Sequence, residues 1–329
     1  MAVRLGSRKR SPKRPLAPKL GVAAGMSAIL LDVPAAAHGT APHDGSNLWS
    51  AWHADPLITI PLMASCLLFI QGVLHLRQDL GRLLPGFGLR QVACFSLGAM
   101  LLVIALLSPL EALSTALLSA HMVQHILLIA LAPPLLVLGK PEVAWLWALP
   151  AHWRRGMARH GPTRSVLSAL SPCTRPILAA LIHMATLWIW HSPMLFDAAV
   201  ASDKLHWLEH VMFFGTALLF WRAVIKAHSG REAAAAALIA CFITLLQSGL
   251  LSALLSFARE VLYHAPDTSE WDLTALEDQQ LAGAIMSLPM CAIYLAAGLI
   301  MALRLLTPPR AERTQGLPVA SENLLKPTR

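Results

Sequence analysis

Along the chain, long apolar runs alternate with short polar connections, and the connections are often basic. Seven runs stand out, at roughly residues 57–76, 89–108, 113–138, 176–196, 206–225, 233–257 and 281–303. A helix needs about 20 apolar residues to cross the hydrocarbon core of a bilayer. A segment without a sheet partner can satisfy its backbone there only as a helix. The pattern therefore predicts an all-α integral membrane protein, a seven-transmembrane-helix bundle over residues 38–305. Pro61, Pro289 and the pair Pro133-Pro134 fall inside runs and predict kinks, because proline lacks an N–H and crowds the preceding turn.

The ends read differently. Residues 1–37 have a basic start (Arg4, Arg8, Lys9, Arg10, Lys13, Arg14, Lys19), an apolar run from Leu20 to Val33, and then Ala35-Ala36-Ala37. That order is expected of an export signal; Asp32 and Pro34 leave an uncleaved anchor open, and either version places His38 onward outside the cytoplasm. Residues 306–329, with Pro308, Pro309 and Pro318, read as a flexible cytoplasmic tail.

Composition sharpens this picture. Of 329 residues 56% are hydrophobic and only 13% charged, against about 25% charged in soluble domains. A net charge of +8 could suit nucleic acid, but its placement argues for membrane topology instead. Connections after the first, third, fifth and seventh runs hold seventeen Lys and Arg residues; those on the opposite side hold only Lys204 and Arg259. Positive charge marks the cytoplasmic side, so the N-terminus lies outside and the C-terminus inside, in a bacterial plasma (inner) membrane.

Candidate chemistry sits in the outer half of the runs. His121 and His125 are four apart, so on a helix they share a face about 6 Å apart along the axis, with Met122 turned about 100° from His121. His206-Trp-Leu-Glu209-His210 repeats the spacing. Counting about 1.5 Å per residue from the basic end of each run puts His121, His125, His191, His206, His210, Met286 and Met290 in one outer layer, between about 18 and 28 Å. Ligating side chains at such depth mark a functional site. Imidazole suits copper, and thioether selects Cu(I). The candidate metal ligands are therefore His121, His125, His191, His206, His210 and Met286, with Met122, Glu209, Asp278 and Met290 as supporting residues. Thr274 and Glu277 have capping-box spacing and would start the last helix.

The segments His121-Met-Val-Gln-His125 with Ala-Pro-Pro-Leu-Leu-Val-Leu-Gly-Lys-Pro141, Trp190-His191-Ser-Pro-Met-Leu-Phe-Asp197, His206-x-x-Glu209-His210 with Phe220-Trp221, and Asp278-Gln-Gln-Leu-Ala-Gly283-x-x-Met286 together resemble the CtaG family of polytopic cytochrome oxidase assembly factors. The resemblance runs from His38 to about Leu305. Where the family has Trp after Met286, this chain has Ser287-Leu-Pro-Met290. The resemblance implies a role in haem–copper oxidase biogenesis, with copper, as Cu(I) or Cu(II), delivered to the oxidase's copper-bearing subunit. An extracytoplasmic copper chaperone would be the donor, the lipid bilayer the surroundings, and nucleic acid no partner.

Cysteine usage fits an outer His/Met site. Cys66, Cys94, Cys241 and Cys291 lie within runs and Cys173 in an inner connection, with no C-x-x-C pair and none in the outer connections. Two other functions fit parts of the pattern. His206-x-x-Glu209-His210 matches an intramembrane zinc metallohydrolase, with Glu209 as base. A copper transporter would need polar groups in the inner half, where His183, Thr244 and Gln247 are available.

Overall fold

In a computed structural model, the described residues are 51–307 apart from 53, 81–85, 160–174, 228–229, 265–267 and 269–270. The signal-like segment 1–37, Cys173 and the tail beyond residue 307 lie outside them. Among the described residues the chain is helical, with no strand. The helices are α1 (Pro56–Leu80), α2 (Leu89–Leu107), α3 (Pro109–Ala116), α4 (Leu118–Gly139), α5 (Pro141–Ala148), α6 (Ala151–Arg159), α7 (Pro176–Trp190), α8 (Pro193–Val200), α9 (Asp203–Lys226), α10 (Arg231–Ser256) and α11 (Ala275–Leu306). Six of these (α1, α2, α4, α9, α10 and α11) are long and apolar enough to cross a membrane; α7 and α8, taken as one bent span, make a seventh. The chain is a multi-pass membrane protein.

Two sequence expectations need correction. The fourth run, 176–196, is not one helix: α7 and α8 meet at 72°. Pro193 lacks an N–H and pushes Ser192 to extended geometry (φ −68°, ψ 136°), so the helix stops at Trp190 and restarts. The third run, 113–138, begins with a separate helix. Ser108, extended before Pro109, caps α3 by accepting from Leu110 N at 3.2 Å. Leu117 then breaks the helix (φ −129°, ψ 129°) before α4 starts. After α4, residues 141–148 form α5, which packs against α1. Trp145 Nε1 donates to Ser65 O at 3.1 Å, and the His75 ring meets Trp147 O at 3.1 Å. Gly72 permits this: a Cβ there would lie 1.8 Å from Ala144 O. Small residues let membrane helices approach to backbone contact.

Burial follows the inverse of soluble logic. Outward positions are apolar, among them Ile60, Leu67, Phe242, Leu246, Leu288 and Leu303, because lipid rather than water surrounds them. Inside lie two apolar clusters. One joins α1, α2, α4 and α5, with Phe69 stacked on Phe95 at 3.8 Å between centroids. The other joins α4, α7, α8, α9, α10 and α11 around Phe213, Phe220, Trp221 and Tyr294. At one end of the bundle, Glu142 of α5 pairs with Arg222 (3.3 Å) and Lys226 (3.0 Å) of α9. The opposite end holds the histidines. Helices α1 and α11 run through Pro61 and Pro289 without a break.

Candidate metal centre

The start of α4 is built by a residue far away in sequence. Leu118 N and Ser119 N donate to the Asp278 carboxylate at 2.6 and 3.1 Å. A carboxylate at a helix N-terminus satisfies orphan N–H groups and complements the helix dipole. Asp278 is itself placed by the N-terminus of α11, where Thr274 and Glu277 form the capping box. So α11 fixes where α4 begins, and three residues later α4 carries His121.

Beyond His125 the helix widens into one π-helical turn, Leu127–Leu131, with Ala132 N donating to Leu127 O. The proline pair accounts for it. Pro133 cannot donate to Ile129 O, the acceptor four residues back. Trp221 Nε1 of α9 fills the gap, donating to Ile129 O at 3.0 Å. In a medium without water an orphaned carbonyl is costly, so this bond pins α9 to α4 just below the histidines. Such π-turns concentrate at functional sites.

These supports converge five imidazoles. Ring centroids lie 4.2 Å apart for His121 and His125, 4.2 Å for His206 and His210, 5.3 Å for His121 and His206, 5.6 Å for His125 and His210, and 6.1 Å for His125 and His191. Glu209 enters between them, with Oε1 3.9 Å from His125 Nε2. Ligand atoms of His121, His206 and Glu209 all lie within 4.8 Å of one another. Two metal–imidazole bonds of about 2 Å span up to about 4 Å, so a small side-chain rotation closes the set on an ion. Phe213 borders His125 (4.8 Å) and Phe196 borders His121 (5.4 Å), giving the site apolar walls.

The polar atoms here are short of partners. No hydrogen bond reaches His121 Nε2, either nitrogen of His125, His210 Nε2, His191 Nε2 or either oxygen of Glu209. Buried polar groups are normally satisfied. A set left open on five neighbouring side chains is the donor set a metal ion would complete, and these residues fit one. His191 is oriented for this: its Nδ1 donates to Leu187 O at 2.8 Å, so in the neutral ring Nε2 carries the lone pair.

The other sequence candidates make different contacts. Asp278 is spent on the α4 backbone. Met122, Met286 and Met290 are buried in the larger apolar cluster with Phe213, Phe220 and Tyr294. His183 lies apart, its Nδ1 3.0 Å from Thr216 Oγ1.

Sequence reasoning missed two residues at the site. Glu111 Oε1 of α3 is 4.0 Å from His206 Nδ1. Burial pushes its carboxyl up to about 7, against the bond from Gln124 and with Asp55 adding to the rise. Gln124 Nε2 donates to Ala105 O at 2.8 Å and to the Glu111 carboxylate, tying α4 to the α2–α3 junction. The available signal was that Glu111 is the one acidic residue between Asp79 and Glu142.

Fold and site define a polytopic, all-helical membrane protein with a buried cluster of histidines and carboxylates near one end of its bundle. The family model of Caa3_CtaG, cytochrome c oxidase caa3 assembly factor, matches residues 67–307, and the chain belongs to this family. Neither the curated proteins nor the solved structures contain a match.

Proposed function

We propose that this protein supports oxidase assembly by holding copper at His121, His125, His206, His210 and Glu209, with His191 beside them, and passing it to the oxidase's copper-bearing subunit. The observation that carries the reading is the set of unpartnered imidazole nitrogens and carboxylate oxygens, buried together on α4, α7 and α9. Copper is cargo here. Imidazole is a good copper ligand. With Glu209 ionised, a monovalent ion leaves the buried site neutral; a divalent ion needs Glu111 as well, since uncompensated buried charge is expensive.

The histidine end faces the extracytoplasmic side of a bacterial plasma membrane in this reading. Its support is the asymmetry of basic residues, seventeen against two. Release on the same side fits the polar groups deeper in the bundle, which are used locally: Thr244 Oγ1 donates to Ala240 O, Gln247 Nε2 to Ser248 Oγ, and His183 pairs with Thr216. These make separate bonds rather than a chain that a transporter could use.

Cells carrying H121A or H210A test the reading. They should lose oxidase activity while the protein accumulates normally, and excess copper in the medium should restore part of that activity. Full oxidase activity in both variants would refute the copper role.

A further inference from the structure

The connection leaving α10, residues 257–264, packs on the histidine end of the bundle. Tyr263 Oη donates to His191 O at 3.0 Å, and its ring lies 4.3 Å from Phe196. Burial, aided by Asp197 and Glu209, pushes the phenol up to about 12, so it stays a donor at neutral pH. Gln279 holds the same connection from α11 by accepting from Leu262 N at 2.7 Å.

The next residue, His264, is of a different kind: its side chain is 94% exposed. Its backbone N–H donates to Asp197 Oδ1 at 3.0 Å, and its Nδ1 lies 2.6 Å from Asp197 Oδ2. A carboxylate only accepts, so Nδ1 carries the hydrogen, and in the neutral ring Nε2 keeps the lone pair. Carboxylate–imidazole pairs of this kind orient metal-binding histidines and raise their basicity.

Directly inward is a cavity of about 20 Å³ that touches both His264 and His121. It has room for one water-sized species, hence for an ion but not a peptide. Two larger cavities also reach the cluster. One, about 550 Å³, touches His210 and is bounded by Arg222 and Glu142; the other, about 630 Å³, touches His191 and is bounded by Arg259 and Glu260. Of the three, only the small cavity touches both His264 and His121, and among the described residues its wall has no lysine or arginine; this favours it as the way in for a cation.

We propose that Asp197 and His264 form a landing site that takes copper from the extracytoplasmic side and passes it through this opening to His121. The proposal rests on the copper reading above. The step is a ligand exchange without change of oxidation state: the bond from copper to His264 Nε2 breaks as the bond to His121 Nε2 forms. His121 Nε2 has no hydrogen-bond partner to displace. Asp197 acts as a positioning residue, holding the His264 ring and its tautomer.

Purified full-length protein given Cu(I) as its bicinchoninate complex tests this by stopped-flow absorbance. H264N keeps an amide that can donate to Asp197 and lacks the imidazole lone pair; D197N weakens the hold on the ring. H264N should load about tenfold more slowly than wild type, with D197N in between, and both should reach the wild-type copper-to-protein ratio. A wild-type rate in H264N would overturn the landing site. A final ratio that falls with the rate would overturn it too, by showing a structural role. Wild-type protein that takes up no copper would overturn the copper reading itself, a result the variants alone cannot produce.

Discussion

Replacing Trp221 with Phe removes the side-chain N–H that reaches Ile129 O in place of the donor Pro133 lacks. Ile129 is fully buried and Trp221 nearly so, so water cannot substitute. Leaving a buried acceptor unsatisfied costs about 1–3 kcal/mol, and interhelical hydrogen bonds in membranes reach about 1.7 kcal/mol. We expect about 1.5 kcal/mol from the lost bond, within both ranges. The change also removes volume beside Tyr294, which stacks on Trp221 at 5.6 Å, so the single variant does not isolate the bond. A double-mutant cycle does. P133A restores an N–H at the position whose partner is Ile129 O, and W221F should then be milder in P133A than in wild type. The expected coupling is about 1 kcal/mol, read from equilibrium unfolding in SDS–maltoside micelles by circular dichroism. Costs that add within about 0.3 kcal/mol would refute the account of the π-turn.

Three further outcomes follow from the same packing. D278A leaves Leu118 N and Ser119 N without their acceptor and should destabilise the protein by about 1–2 kcal/mol, with D278N milder; equal melting temperatures for wild type and D278A would contradict the capping role. G72A drives a Cβ into Ala144 O, a clash no rotamer relieves, and should cost about 3 kcal/mol or more in the same unfolding assay; wild-type stability would contradict the α1–α5 contact. E209Q should weaken copper binding about 10–100-fold in competitive titration with only partial loss of oxidase activity; full copper occupancy with no activity would favour a catalytic base instead.

Much of this arrangement was legible in the sequence because lipid simplifies the code. Apolar runs of spanning length gave the helices, and the i, i+4 histidine pairs on two of them identified the faces that meet. What escaped was set by contacts distant in sequence. The break at Leu117 has no proline or glycine; it exists because Asp278, on another helix, caps the next turn. Pro133-Pro134 announced a distortion, but not that Trp221 would complete the backbone and lock two helices together. Pro193 in the fourth run is the readable sign of the α7–α8 bend, obscured by a run of spanning length. Helix α5 was hidden because its partner Gly72 lies on α1, and the match of a glycine to a distant backbone leaves no local periodicity. Glu111 was passed over because its depth depends on the short helix α3.

The central claim is that His121, His125, His206 and His210 bind one ion together. The most direct measurement is the copper content of detergent-purified protein by plasma mass spectrometry, wild type beside the four single alanine variants, each folded by circular dichroism. The account predicts stoichiometric copper in the wild type after loading with Cu(I), and a marked loss in every variant, those on α4 and those on α9 alike. Copper retained when either pair is removed, or no copper in the wild type, would contradict it.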